Sequence, residues 1–578
     1  MEKQVTLKID GREVTVREGS NLVDACAAAG IKVPTLCLLP EVAANASCGV
    51  CVVEVAGARS LARACVQKAA EGMVVSTSSE RAASARRTAV ELMLANHPDD
   101  CLSCTRNGTC ELQALAELMG VRRRRFPRTR KLREAADRID ATSAMLERDE
   151  DKCVLCGRCV AVCRDVQTVS AIDFVGRGSH SRVAPFMDRG IESSVCVGCG
   201  QCTLVCPTGA LTEKDETEKV FSLLRDPLRT VVVQTAPAIR ASLGEALGMP
   251  TGALVTGKMV AALRRLGFDR VFDTQFTADL TIMEEGSELL ERIAEKGTLP
   301  LITSCSPAWI GFIETFYPSL LPHLSSCKSP QQMFGAVAKT WWAKKAGIDP
   351  ATLSVISIMP CTAKKRETKR PGMASSGFAD VDYALTTREL ARMIRRAGID
   401  FARLEEEAFD DPLGASTGAA TIFGTTGGVM EAALRTAYEI ALGKSLPSLE
   451  LEAVRGMAGV KEATIDFGGT PIRVAVAHGL GNARKVLDGM AAGNSPYAFV
   501  EVMSCPGGCI GGGGQPLLTD AADRKTRQEA VYKEDRLLPL RKSHENPAVA
   551  TLYKEFLIKP LGERSKELLH TEYAARKV

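Results

Sequence analysis

Phe499-Val500-Glu501-Val502 runs without a break into Met503-Ser504-Cys505-Pro506-Gly507-Gly508-Cys509-Ile510-Gly511-Gly512-Gly513-Gly514-Gln515-Pro516. A short apolar run bounded by glycine and proline reads as a buried strand. The two cysteines after it stand where open α/β sheets collect ligands, outside the carboxyl ends of strands. Thiolates hold soft iron, and a glycine run lets backbone approach a bulky inorganic group. The same texture starts near Thr230. Val231-Val232-Val233, Leu301-Ile302, the stretch 353–358 and Val474-Ala475-Val476 all predict buried strands. Two of these also lead into cysteines: Thr303-Ser304-Cys305-Ser306-Pro307-Ala308-Trp309 and Met359-Pro360-Cys361-Thr362-Ala363-Lys364-Lys365-Arg366-Glu367. Three separate segments should therefore meet in one pocket.

At 578 residues the chain is too long for one core, and a formal net charge of +4 gives no argument for nucleic acid as a partner. The one strong charge block, Arg122 to Arg125 with Arg128, Arg130 and Lys131, reads as a solvated linker or a docking patch for an acidic redox partner. No apolar leader and no 18-residue apolar run is present, so no membrane span is expected. Twenty-one cysteines in so long a chain fit a reducing cytoplasm, with thiols kept for metals, better than a secreted disulfide scaffold.

The first half is arranged around four further cysteine groups. Val5, Leu7 and Ile9 alternate with polar residues, Asp10-Gly11 supplies a hairpin turn, and Val14 and Val16 resume the alternation. Cys37, Cys48, Cys51 and Cys65 follow, a four-thiolate set for a [2Fe-2S] cluster or zinc. Cys26, in a helical run, reads as a buried core residue. His97, Cys101, Cys104 and Cys110 make a second set with imidazole as the odd donor, suited on spacing to iron-sulfur or zinc. Cys153, Cys156, Cys159 and Cys163, then Cys196, Cys199, Cys202 and Cys206-Pro207, repeat the bacterial ferredoxin spacing. In that pattern the fourth cysteine of each run ligates the other cluster, so Cys206 should join the first three and Cys163 the second three.

The three cysteine segments of the second half, in order, resemble the three signatures of the [FeFe]-hydrogenases. The N-terminal groups are similar to the accessory modules of long members of that family and of the large iron-sulfur subunit of respiratory complex I. The resemblance implies a multidomain α+β and α/β chain. Its parts would be a β-grasp [2Fe-2S] ferredoxin-like domain (1–78), a one-histidine three-cysteine [4Fe-4S] domain (79–118), a basic linker (119–143) and a bacterial two-cluster ferredoxin domain (144–218). An α/β catalytic domain (219–515) and a segment like the family's small subunit (516–578) would follow. It implies one [2Fe-2S] cluster, three accessory [4Fe-4S] clusters and an H-cluster, a [4Fe-4S] cube bridged to a two-iron unit with carbonyl, cyanide and azadithiolate ligands.

Carried over by motif, Cys361, Cys505 and Cys509 would hold the cube, with Cys509 bridging. Lys364, Gln331 and the backbone near Ala236 and Pro237 would meet the two-iron unit, with Met359 and Met503 packed beside it. Cys305, Glu285, Ser325, Glu288 and Arg292 would pass protons, the carboxylates and arginine sharing one helix face. The activity implied is reversible interconversion of protons and electrons with dihydrogen, the carrier being ferredoxin or another redox protein. NAD(P)-binding flavoprotein subunits of a larger assembly are the alternative carrier, since no GxGxxG strand-turn-helix is present here. Maturation proteins are implied as well.

The family ordinarily has two adjacent cysteines in its first signature, whereas here the pair is Cys305-Ser306. A serine oxygen is a harder and less acidic ligand than a thiolate. Three arrangements stay open: Ser306 ligates through oxygen, Cys305 swings in, or Cys327 takes one of those roles. A non-catalytic relative that senses hydrogen or assembles iron-sulfur clusters would also account for Ser306.

Overall fold

The computed structural model describes residues 3–129, 138–517 and 519–577. The N-terminal alternation folds as a hairpin in which Gln4–Ile9 pairs antiparallel with Arg12–Arg17, Ile9 opposite Arg12. Asp10 and Gly11 both take positive φ, 46° and 82°, the geometry that matches a two-residue turn to strand twist. Three further strands complete a five-stranded sheet, Val74–Ser76 lying parallel to the first strand. Leu7, Ile9, Leu22, Cys26 and Val53 close its core.

The second half carries two four-stranded sheets. In the first, Arg270–Asp273, Thr230–Thr235, Leu353–Met359 and Tyr383–Thr386 lie parallel in that order. Helices cover its faces, so its strands read as continuous apolar runs. In the second, Leu301–Ile302, Phe499–Met503 and Thr470–His478 are parallel, and Val460–Phe467 pairs antiparallel at the edge. All five predicted strands are present. The 20-residue helix Gln275–Ala294 packs against the helices Pro330–Val337 and Gly428–Leu442 and is buried along most of its length.

The C-terminal segment forms the helices Pro547–Leu552 and Glu563–Leu569, whereas from His570 the chain leaves the helix. The change has a physical cause. Residues 570–576 hydrogen-bond to other segments: Thr571 N to Ser326 O, Tyr573 Oη to Cys327 O and Arg576 N to Glu314 O, at 2.8, 3.1 and 2.9 Å. A 17-residue helix, Ala521–Leu537, was not expected from the sequence; its Asp520–Asp523 capping box was the available signal. No helix among the described residues is long and apolar enough to cross a membrane.

Candidate metal centre and proton relay

Strand ends deliver the chemistry. Thr230–Thr235 leads to Ala236 and Pro237, Leu301–Ile302 to Cys305 and Ser306, Leu353–Met359 to Cys361, and Phe499–Met503 to Cys505. Pro307 then starts the helix Pro307–Phe316, a position where its missing N–H costs nothing. Cys361, Cys505 and Cys509 are electrostatic neighbours: after burial, Cys361 is the strongest influence holding both other thiols up. The sequence-distant thiols therefore lie within electrostatic reach of one another.

Around them, Lys364 Nζ donates to Ser329 Oγ (2.7 Å), Glu367 Oε2 (2.8 Å) and the Cys305 carbonyl (3.3 Å). Gln331 donates to Glu367 at 3.0 Å, while its own Oε1 is buried without a hydrogen-bond partner. Met359, Met503, Ala236 and Pro237 are buried. Ser306 makes no capping hydrogen bond to its helix; its hydroxyl lies 3.7 Å from Met503 Sδ.

The glycine run also packs backbone against backbone. A Cβ on Gly512 would come within 2.2 Å of Pro360 O, and one on Gly513 within 2.2 Å of Cys199 O. The glycines bring backbone against backbone, seating the Cys505–Cys509 segment on both the Cys361 loop and the ferredoxin-like part of the chain. Gln201 Nε2 donates to Gly511 O at 2.9 Å, and Cys505 Sγ lies 4.0 Å from Cys199 O. Gln167, which donates to Ser504 O at 3.0 Å, fastens the same joint and carried no sequence signal.

Glu285, Glu288 and Arg292 share the helix Gln275–Ala294. Burial pushes the Glu285 carboxyl up to about 8, opposed by the Ser325 hydroxyl and reinforced by Glu288. Burial and then Glu285 hold the Cys305 thiol well above its usual range. Ser325 Oγ donates to Glu288 Oε2 at 3.1 Å, and Arg292 donates to Glu288 Oε1 at 2.6 Å. Hydrogen bonds thus join Ser325, Glu288 and Arg292, while Glu285 lies between them and Cys305 as an electrostatic neighbour of both ends, its two carboxylate oxygens buried without a hydrogen-bond partner. Cys327 is fully buried, and its carbonyl accepts from Ser304 Oγ at 2.6 Å. Its charged neighbours are Glu288, Glu285 and Glu284, because the strand-like turn that carries it faces the C-terminal segment.

In the first half, one cavity is lined by Cys153, Cys156, Cys159 and Cys206, and another by Cys163, Cys196, Cys199 and Cys202. The fourth cysteine of each run lies in the other run's cavity. Cys101, Cys104, Cys110 and His97 line a further cavity, where His97 Nδ1 is buried without a hydrogen-bond partner. An orphaned imidazole nitrogen facing three thiols fits a metal cluster. Cys37 and Cys48 share hydrogen bonds, and Cys65 is held up by burial and by Cys51 and Cys37, so these four also form one group.

The described part of the basic run, Arg122 to Arg125 and Arg128, is exposed, and three of its arginines are tied down. Arg124 bonds to Asp99 and the His97 carbonyl, Arg125 to Glu91, and Arg128 to the His97 carbonyl, pinning the histidine group. Arg130 and Lys131 lie outside the described residues.

Comparisons with known proteins agree along the whole chain. Residues 229–513 match the family described as iron only hydrogenase large subunit, C-terminal domain, and 520–576 match iron hydrogenase small subunit. Residues 2–80 match a 2Fe-2S iron-sulfur cluster binding domain, 86–125 the NADH-ubiquinone oxidoreductase-G iron-sulfur binding region, and 137–210 a 4Fe-4S dicluster domain. The chain is 51% identical to the NADP-reducing hydrogenase subunit HndD of Solidesulfovibrio fructosivorans, over 99% of each. It is 38% identical to iron hydrogenase 1 of Clostridium pasteurianum, over 98% of this chain and 99% of the relative. A variant of [FeFe]-hydrogenase HydA1 from Chlamydomonas reinhardtii superposes with a TM-score of 0.57 at 45% identity, covering 63% of this chain and all of that one.

Proposed function

The chain belongs to the iron-only hydrogenase family, an enzyme family acting on dihydrogen, and from that premise we propose how its own residues divide the work. Cys361, Cys505 and Cys509 hold the cube of the H-cluster, and Ser306, whose hydroxyl is free of its helix and turned toward Met503, takes the fourth position. Cys305 stays with Glu285 in the relay. When bound, the H-cluster supplies the two-electron chemistry that interconverts protons and dihydrogen.

The protein moves the protons. Cys305 exchanges one with Glu285, whose raised affinity lets it hold a proton near neutral pH. Ser325 passes it to Glu288, and Arg292 holds that carboxylate at the outer end. Lys364, fixed by Ser329 and Glu367, presents an ammonium, and Gln331 its amide, to the two-iron unit with its cyanide and carbonyl ligands. The buried methionines and the apolar strand ends keep water out.

Electrons use four accessory clusters, one [2Fe-2S] and three [4Fe-4S], at the cysteine groups and His97. The observation that carries this reading is the contact of Cys505 Sγ with Cys199 O, which sets a ferredoxin-type cluster beside the cube. With the full-length likeness to a subunit of an NADP-reducing hydrogenase, we assign the outer partner to nicotinamide-reducing flavoprotein subunits, with ferredoxin as the competing carrier. Maturation proteins load the two-iron unit, and a reducing cytoplasm suits the free thiols. Iron analysis of the matured chain should give about 20 atoms per chain. Paramagnetic resonance during reductive titration should separate one [2Fe-2S] from three [4Fe-4S] signals; about 4 fewer iron atoms with a missing [4Fe-4S] signal would refute the count.

A further inference from the structure

One constellation with metal-ligand chemistry lies outside the cysteine groups above. Glu288, Cys327 and His570 offer a carboxylate oxygen, a thiol sulfur and an imidazole nitrogen, all within 4.8 Å of one another. Three distant stretches supply them, and backbone ties hold the last two together: Lys328 N donates to Leu569 O and Thr571 N to Ser326 O, both at 2.8 Å. Cys327 is fully buried and Glu288 nearly so.

The surroundings orient the imidazole. His570 Nε2 lies 3.1 Å from the buried Glu284 carboxylate, while Nδ1 lies 2.8 Å from Ser326 Oγ, which itself donates to Glu288 Oε2 at 3.2 Å. With Nε2–H donating to the Glu284 carboxylate, Nδ1 is left as the acceptor facing Ser326 Oγ, and a cation seated between Nδ1 and Glu288 Oε2 would displace that hydroxyl contact. That is the carboxylate–histidine arrangement found behind metal-bound imidazoles. One sulfur, one nitrogen and one oxygen suit a borderline-soft cation over magnesium or calcium. Ser326 or water can fill the fourth position.

We propose that Glu288, Cys327 and His570 form a site for a divalent cation of the zinc type, which on binding withdraws Glu288 from proton transfer. Binding releases the Cys327 thiol proton to solvent and moves no electrons. Coordination through Oε2 would occupy the oxygen to which Ser325 donates. The inhibitory consequence rests on the relay proposed above; the site itself does not.

The test adds zinc chloride to the anaerobic, fully matured protein in a non-coordinating buffer. Hydrogen evolution and zinc K-edge absorption fine structure are then measured. The expected result is one zinc with one sulfur and two or three lighter ligands, and hydrogen evolution reduced about tenfold and restored by a chelator. Cys327→Ser and His570→Ala should each raise the zinc needed for half-inhibition about tenfold or more, each compared with its own zinc-free rate. Zinc without a sulfur neighbour, with three or four sulfurs, or with an unchanged response in both variants overturns the site. Zinc bound as described with hydrogen evolution unslowed keeps the site and overturns the relay through Glu288.

Discussion

In the proposed relay Glu285 is the residue on which turnover should depend most, because it lies between the buried Cys305 thiol and the Glu288 carboxylate. Glu285→Gln keeps shape and removes the exchangeable proton. Hydrogen evolution should fall roughly 10²–10⁴-fold, while the infrared bands of the loaded cofactor stay in place; activity within a few-fold of the parent would exclude it from the relay. Ser306 gives a second outcome at this scale. If its oxygen closes the cube, Ser306→Ala should lose cube iron under chelator challenge and Ser306→Cys should retain it longer than the parent; equal retention in all three would reject the oxygen ligand. The sequence made the grouping of the cysteines and of Glu285, Glu288 and Arg292 legible, since cysteine spacing is local and helix periodicity puts the latter three on one face. It did not show which way Cys327 faces, a tertiary matter decided by pairing with His570.

The helix Gln275–Ala294 joins the relay to the C-terminal segment. Glu284, fully buried beside Glu285, accepts from Tyr553 Oη (2.5 Å), Ser565 Oγ (2.6 Å) and Leu561 N (2.8 Å), and His570 sits against it. Glu284→Ala should leave these groups unpaired, destabilise the segment by about 3 kcal/mol, and raise amide exchange across 553–577 selectively. On the same helix, burial pushes the Asp279 carboxyl up to about 7, against hydrogen bonds from Asn546, Thr417 and Ser543. A carboxyl raised in the fold binds more protons there than in the unfolded chain. Stability should therefore decline from about pH 4 to about pH 7, by up to ~1.4 kcal/mol per pH unit, and calorimetry of Asp279→Asn should show that slope flattened. Strands and the hairpin were legible as elements because burial and turn chemistry write themselves locally. The 570–576 stretch was not, because its hydrogen bonds go to segments more than 200 residues away.

Across the whole molecule the cysteine groups form a branched path. Asn45 bonds to Cys156 O at 2.9 Å and Arg106 to Cys206 O at 2.9 Å, so both N-terminal groups adjoin the same ferredoxin-type cavity. The crossed fourth cysteines couple that cavity to its neighbour, which meets Cys505 through Cys199. The order of the motifs announced the components, but the branching depends on which loops touch, and no spacing encodes that. The most direct measurement is the infrared spectrum of the anaerobically matured protein. Sharp carbonyl and cyanide stretches, abolished in Cys509→Ala, are predicted if Cys361, Cys505 and Cys509 hold the catalytic cluster; a fully matured chain without those bands would contradict that assignment.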